Sequence, residues 1–170
     1  MLEKLKIKLF ADGADISEIK ELSKNELIKG FTTNPSLMKK SGVKDYKKFA
    51  QDITKIIVDK PISFEVFADD LGEMEKQALE IAKWGNNINV KIPITNTKGQ
   101  PTKDLIKSLS KKKVICNVTA IFTTKQLEEV VDVLSTDTSA ILSVFAGRIA
   151  DTGKDPMGIM KESVKIAKSK

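Results

Sequence analysis

The stretch ISFEVFADDLGEMEKQALEIAKWGNNINVKI, residues 62–92, contains a complete strand–helix–strand pattern. Its two ends, ISFEVFA (62–68) and INVKI (88–92), are short runs rich in β-branched and aromatic residues, which is typical of strands. Between them, six apolar residues recur at helical spacing: Leu71, Met74, Ala78, Leu79, Ile81 and Ala82. The pattern predicts two parallel strands connected by a helical crossover.

The same alternation continues on both sides of this unit. Four more strand-like runs occupy residues 6–11, 29–33, 114–120 and 140–146. Helical patterns cover residues 16–24, 45–59, 102–112, 123–134 and 156–170. The six strands begin about 26 residues apart, a spacing that suits a (β/α) barrel. Since a closed barrel has eight units, we expect one α/β domain over residues 1–170 that is either an incomplete barrel or an open, doubly wound sheet.

Composition limits the chemistry that is available to the chain. The 170 residues are 41% hydrophobic and 31% charged, which is typical of a globular protein. No histidine is present, which excludes histidine bases and histidine metal ligands, and the single cysteine, Cys116, excludes an internal disulfide. Because no apolar run approaches the length of a membrane span and no apolar signal-peptide core is present, we expect a cytoplasmic protein with no membrane partner.

The basic balance favours small anions over nucleic acid. The formal net charge is +6, but lysines alternate with glutamates along helical stretches such as ELSKNELIKG (21–30), and aromatic residues are 5% of the chain. This pattern is typical of solvated helix faces, so we expect sugar phosphates rather than nucleic acid as partners. The only arginine, Arg148, follows the sixth strand. Its planar guanidinium suits a phosphate, and a surface salt bridge is the alternative.

Polar side chains share one parity of each predicted strand near its C-terminal end. They are Asp12, Thr32, Asn34, Ser63, Glu65, Asn89, Lys91, Asn117, Thr119 and Ser143. The opposite parity is nearly all apolar, as at Phe64, Val90 and Val118, and can pack on helices. Because active sites of (β/α) folds lie at the C-terminal ends of the strands, the pattern predicts a site there.

Lys91 is the most informative of these residues because it stands among Ile88, Val90 and Ile92. Lysine is rarely buried unless it is paired or functional. Burial favours the neutral amine of a lysine, which can attack a carbonyl to form a Schiff base. The alternative is a lysine that extends to water and pairs with Glu65 or Asp12. In a chain without histidine, these two carboxylates are also the candidate proton shuttles.

Six motifs, in this order, resemble those of the transaldolase family, particularly its short single-domain members related to fructose-6-phosphate aldolase. They are FADGAD (10–15), GFTTNPSLM (30–38), SFEV (63–66), NVKIPIT (89–95), CNVTAIF (116–122) and SVFAGRIAD (143–151). TTNPS and VKIP are specific in combination, and the resemblance covers essentially the whole chain. It implies a (β/α)₈ TIM barrel of the transaldolase type, with about six of its eight units in this chain.

The resemblance also implies a division of roles. Lys91 would form the Schiff base with a ketose donor, and Asp12 would assist proton transfer during carbon–carbon cleavage. Glu65 would position a catalytic water with Thr119 as its partner. The implied substrate contacts are Thr33, Asn34, Ser36, Asn117, Ser143, Phe145 and Arg148. Neither a metal ion nor an organic cofactor is implied.

Two positions favour transfer of a dihydroxyacetone unit over simple aldol cleavage. Fructose-6-phosphate aldolases place Gln at the Glu65 position and Tyr at the Phe145 position, whereas this chain resembles transaldolases at both. We therefore expect a transaldolase of the pentose phosphate pathway. The alternatives are a retro-aldolase, a non-catalytic sugar-phosphate-binding barrel and, on charge alone, a basic nucleic-acid-binding domain.

The chain departs from the family pattern at two places. Gly13 stands where the family commonly has Thr, which we expect to be tolerated. Nothing in the sequence matches strands seven and eight of the barrel. We therefore expect a truncated form or natural fragment of a longer protein, and a homo-oligomer if the full barrel forms.

Overall fold

Six parallel strands form a sheet in the computed structural model, which describes residues 6–169. The strands are β1 (Leu9–Asp12), β2 (Ile28–Thr32), β3 (Ile62–Glu65), β4 (Ile88–Pro93), β5 (Cys116–Ile121) and β6 (Ala140–Val144). They lie in the sheet in chain order, from β1 at one edge to β6 at the other. A doubly wound sheet reverses its strand order at a switch point, so the sequential order excludes that alternative. The sheet is a partial (β/α) barrel.

Helices follow every strand in the described range. They are α1 (Ile16–Ser23), α2 (Pro35–Lys40), α3 (Tyr46–Ile56), α4 (Leu71–Ile81), α5 (Lys103–Lys111), α6 (Thr124–Val133), α7 (Ala146–Asp151) and α8 (Met157–Lys168). The sequence patterns predicted all but the six-residue helices α2 and α7. Because α7 begins at Ala146, the sixth strand is shorter than predicted. Lys170, the end of the last predicted helix, lies outside the described residues.

Short polar side chains fix where the helices begin. The N-cap side chains of α1, α2, α3, α4 and α6 each accept a hydrogen bond from the backbone N–H three residues later; these caps are Asp15, Asn34, Asp45, Asp70 and Thr123. In α2 the cap is followed by Pro35 at the first helical position, where its missing N–H costs no hydrogen bond. This cap and proline explain why the chain turns sharply into a helix directly after β2.

The hydrophobic core lies between the sheet and the helices. Phe64, Val90 and Val118, on the apolar parity of three central strands, are fully buried. They belong to one cluster with fully buried helix residues such as Ile53 of α3 and Ile106 of α5. This burial removes the apolar parity from water and leaves the polar parity on the opposite, concave face.

Hydrogen bonds between non-neighbouring strands show that the sheet curls. Asn117 of β5 donates from Nδ2 to Ser63 Oγ of β3 at 3.0 Å, although β4 lies between them. Lys91 of β4 likewise reaches the carbonyl oxygen of Thr33, directly after β2, at 3.3 Å. In a flat sheet, strands two apart are separated by about 9.5 Å. The curl therefore brings the polar side chains together on the inner face.

The contact between β1 and β2 depends on a glycine. Phe10 pairs in register with Gly30, and its ring lies where a Cβ atom on residue 30 would be. Any larger residue at position 30 must therefore displace the Phe10 ring.

We expect Gly30→Ala to lower the free energy of unfolding by about 1 kcal/mol or more, because the added methyl overlaps the Phe10 ring. The matched control is Gly158→Ala in α8, where an added Cβ meets no atom within 4 Å. That substitution should raise stability by about 0.5–1 kcal/mol through helix propensity. Urea denaturation of both variants tests the assignment, and equal effects would contradict it.

Candidate active site

The strand register aligns the polar parity across the sheet, as the sequence pattern predicts. Asp12 pairs with Thr32, Thr32 with Ser63, and Ser63 with Asn89. Further along, Glu65 pairs with Lys91, and Lys91 with Asn117. The C-terminal ends of the strands therefore present one continuous row of polar groups.

Lys91 lies at the centre of this row and is 9% exposed. Its Nζ lies 3.1 Å from Glu65 Oε2 and donates to the carbonyl oxygen of Thr33 at 3.3 Å. The lysine is therefore buried and paired, and of the two carboxylates proposed as partners it contacts Glu65. Such a pair keeps the amine beside a proton acceptor at the end of β4.

Glu65 is a carboxyl group with altered acidity. Burial raises its pKa above the ordinary value, and the negative charge of Asp12 raises it further, while the attraction of Lys91 acts in the opposite direction. Its side chain is 18% exposed. A glutamate with a raised pKa accepts and releases a proton closer to neutral pH, which suits general acid–base catalysis.

Asp12 ends β1 and is held by two neighbours. Thr32 donates from Oγ1 to Asp12 Oδ1 at 2.8 Å, and Asn34 donates from Nδ2 to Asp12 Oδ2 at 3.3 Å. The two bonds fix the carboxylate at the mouth of the site. Asn34 also caps α2 through its side-chain oxygen, so its amide is oriented from both ends.

A second polar cluster lies on β3, β5 and β6. Asn117 donates to Ser63, and Ser143 donates from Oγ to Asn117 Oδ1 at 2.8 Å. These bonds orient the Asn117 amide. Next along β5, Thr119 Oγ1 is the only buried side-chain nitrogen or oxygen without a hydrogen-bond partner among the described residues. Its hydroxyl is free to bind a water or a substrate hydroxyl.

The other predicted substrate contacts differ in burial and in the element that carries them. Thr33 is fully buried, and its hydroxyl donates to the Ser63 carbonyl oxygen. Ser36 is exposed on α2, and Phe145 directly follows β6. Arg148 is exposed on α7, and its Nη1 lies 3.4 Å from Asp151 Oδ2. The geometry gathers the strand residues, while Arg148 lies at the rim.

Tyr46 of α3 lies beside the site and makes two kinds of contact. Its ring packs edge-on against Phe64, Phe67 and Trp84, as a packing residue does. Its hydroxyl also donates to the carbonyl oxygen of Glu65 at 2.8 Å. Burial, followed by the charge of Glu65, raises the pKa of Tyr46, so the hydroxyl remains a donor. The helical pattern of apolar residues would be the same with a phenylalanine at position 46, so it does not predict the hydrogen bond of the hydroxyl.

Two loops at the rim are joined by Asp69, which lies between β3 and α4. Its carboxylate accepts from the Thr97 backbone N–H at 2.7 Å and from the Thr97 hydroxyl at 2.8 Å. Those bonds lower the pKa of Asp69. Asn96 donates to the Asp69 carbonyl oxygen as well. The loops that follow Glu65 and Lys91 are therefore attached to each other.

The described part of the chain shows neither a metal-ligating cluster nor a membrane-spanning helix. Within residues 6–169, no three histidine, cysteine, aspartate or glutamate side chains are grouped closely enough to hold a metal ion. No helix in that range combines the length and apolar character needed to cross a lipid bilayer. Cys116 lies in the core, and burial raises the pKa of its thiol to about 12.

Comparison with known proteins supports the same assignment of the fold. The family model described as transaldolase/fructose-6-phosphate aldolase matches residues 9–170. A protein named probable transaldolase from Dehalococcoides mccartyi is 40% identical over 162 residues, which is 95% of this chain and 71% of that protein. A protein of the same name from Clostridium acetobutylicum is 40% identical over 94% of this chain and 70% of that protein. Another from Streptococcus agalactiae is 36% identical over 92% of this chain and 68% of that protein.

We expect the raised pKa of Glu65 to be visible in the pH dependence of stability. Ionisation of Glu65 is less favourable in the folded than in the unfolded chain. The contribution of Glu65 to the free energy of unfolding is therefore full below the ordinary glutamate pKa, and it is lost as the pH rises through the pKa of Glu65 in the folded chain. As the pH rises above about 4, the ordinary glutamate pKa, wild type should therefore lose stability relative to Glu65→Gln. Urea denaturation at a series of pH values measures the difference.

Glu75→Gln is the control with the opposite sign. Hydrogen bonds from Lys112 and Ser108 lower the pKa of Glu75, so its contribution is present above the ordinary glutamate pKa and lost as the pH falls below it. Wild type should lose stability relative to this variant on acidification below about pH 5. A Glu65 difference that is flat, or that follows the Glu75 trend, would contradict the assignment.

Proposed function

We propose that this chain, which belongs to the transaldolase/fructose-6-phosphate aldolase family, is a transaldolase that acts through a Schiff base on Lys91. It would transfer a dihydroxyacetone unit from sedoheptulose 7-phosphate or fructose 6-phosphate to an aldose phosphate, as a step of the pentose phosphate pathway. The observation that carries the proposal is the burial of Lys91 Nζ against Glu65 at the C-terminal end of β4.

The first step of the proposed mechanism is formation of the imine. Glu65, with its raised pKa, takes a proton from the Lys91 ammonium and leaves an amine with a free electron pair. The amine attacks the ketose carbonyl carbon, and water leaves to give a protonated imine. The positive nitrogen then accepts the electron pair of the bond between C3 and C4, which breaks as an enamine forms.

Proton transfer at the bond that breaks falls to Asp12. As C3–C4 cleaves, the C4 hydroxyl must lose its proton to become an aldehyde, and Asp12 is the second carboxylate on the inner face. Its hydrogen bonds from Thr32 and Asn34 hold it in place to take that proton. In the second half-reaction the enamine carbon attacks the acceptor aldehyde, and Asp12 returns the proton to the new hydroxyl.

Water leaves when the imine forms and enters again when the imine is hydrolysed. We assign the binding of this water to Glu65 and Thr119. The unpartnered Thr119 hydroxyl offers a hydrogen bond that no other described residue occupies. Asn117, oriented by Ser63 and Ser143, would hold the hydroxyls of the three-carbon intermediate together with Asn34. Arg148, at the rim, would bind the phosphate of the donor.

A retro-aldolase is the second candidate because the family includes both activities. Glu65 and Phe145 favour transfer. The two are separated by product analysis with fructose 6-phosphate and no acceptor, because an aldolase releases free dihydroxyacetone and a transaldolase releases little.

We expect borohydride reduction in the presence of fructose 6-phosphate to trap a three-carbon adduct on Lys91, detected by intact-mass spectrometry and peptide mapping. Lys91→Ala should give no adduct and no turnover. Lys29→Ala is the matched control, because Lys29 also lies in a strand but is exposed, and this variant should form the adduct normally. Turnover retained in Lys91→Ala would refute the Schiff-base role, and binding without an adduct in wild type would favour a non-catalytic barrel.

Arg148→Ala should raise the KM for phosphorylated donors by about tenfold or more, since hydrogen bonds between charged groups are lost. The KM for dihydroxyacetone, which carries no phosphate, should change little. Arg148→Lys keeps the charge but loses the planar fork, so an intermediate KM is expected. Steady-state kinetics with both donors measures the ratio, and equal effects on both would argue against phosphate binding.

A further inference from the structure

Strand β5 contains one more residue than its neighbour at the end that faces the site. Val118 pairs with Leu142 and Ile121 with Val144, so Thr119 and Ala120 together lie opposite the single residue Ser143. This arrangement is a β-bulge. Ala120 has a φ of 59°, the left-handed conformation that residues with a side chain seldom adopt.

The bulge changes which side chains face the site. Along an unbroken strand the parity of Asn117 and Thr119 would continue at Ile121, and Phe122 would turn toward the helices. With Ala120 inserted, Ile121 instead turns into the core, where it is fully buried. Phe122 thereby takes the parity of the inner face, directly beyond Thr119.

Phe122 meets the residue that follows β6. Its ring lies edge-on to Phe145, with centroids 5.6 Å apart and planes at 70°. Phe145 has the same parity as Ser143, so both rings belong to the inner face at the C-terminal ends of β5 and β6. Phe122 is 44% exposed, so part of its ring faces solvent at this end of β5.

The backbone around the two rings is held at several points. Gln126 Oε1 accepts from the Phe122 N–H at 2.9 Å and from the Thr123 N–H at 3.1 Å. The Phe145 N–H donates to the Ile121 carbonyl oxygen at 2.9 Å. The backbone that carries the two rings is therefore held at the C-terminal ends of β5 and β6, a few residues beyond Thr119 and Ser143.

We propose that Phe122 is a specificity-determining residue that, with Phe145, limits the access of water to the Lys91-bound intermediate. The inference rests on the proposed function. After the first aldehyde leaves, the enamine has two fates: its carbon attacks an acceptor aldehyde, or it takes a proton to become an iminium ion. In the second fate, water adds to the iminium carbon, the carbon–nitrogen bond breaks, and dihydroxyacetone and the free lysine are released.

An apolar wall at the ends of β5 and β6 acts on this partition. The rings of Phe122 and Phe145 offer no donor or acceptor that would hold a second water beside the one assigned to Thr119 and Glu65. The attack of the enamine on the acceptor aldehyde involves no water, which is needed only afterwards to hydrolyse the product imine, whereas release of dihydroxyacetone adds water to the three-carbon iminium itself. The wall therefore favours the acceptor aldehyde over hydrolysis.

The test measures dihydroxyacetone release against transfer, with fructose 6-phosphate as donor and glyceraldehyde 3-phosphate as acceptor. Phe122→Ala should raise the ratio of release to transfer by about tenfold, and Phe122→Leu, which keeps an apolar side chain, by less. Val164→Ala in α8 removes an exposed apolar side chain away from the sheet ends and should leave the ratio at the wild-type value.

Borohydride trapping on the same samples separates this inference from the function on which it rests. An adduct on Lys91 in every variant, together with a raised ratio in Phe122→Ala, supports the proposal. An adduct with a ratio unchanged in both Phe122→Ala and Phe122→Leu overturns it and leaves the proposed function intact. If wild type forms no adduct, both are overturned. If Phe122→Ala does not fold, the ratio in Phe122→Leu decides.

Discussion

The ion pair between Lys91 and Glu65 is the interaction on which the rest of the site depends. Two charges this far from water are costly unless each is paired and hydrogen-bonded. The Thr33 carbonyl oxygen therefore accepts from the lysine, and the Tyr46 hydroxyl holds the backbone of the glutamate. The polar parity of six strands, placed on a curled inner face, supplies the setting in which such a pair is tolerated.

The sequence alone predicted the parts of this arrangement that follow from periodicity. The alternation of strands and helices, and the polar parity that leads to Lys91, depend on side-chain order along the chain and were confirmed by the strand register. The order of strands could not be read from periodicity, so the doubly wound alternative stayed open until the sheet itself showed chain order. The partner of Lys91 was left between two carboxylates, since the choice depends on which strand lies next to β4 and in which register.

Other features escaped prediction for physical reasons that differ from residue to residue. Helices α2 and α7 are too short for a helical repeat to appear. The bulge at Ala120 carries no glycine, the usual sign of a left-handed residue, so Phe122 was assigned no role. The Tyr46 hydroxyl acts through a single hydrogen bond across the fold, and nothing local in the sequence marks its acceptor.

The strict chain order of the strands has a consequence for how the fold assembles. Each strand pairs with the strands that come directly before and after it in the chain, so β2 to β6 can each add to the strand formed before. Loop closure between neighbouring units costs little entropy, and low sequence separation of contacts is associated with fast folding. Synthesis from the N-terminus therefore delivers the units in the order in which they pair, and β4 with Lys91 arrives only after β3 has placed Glu65.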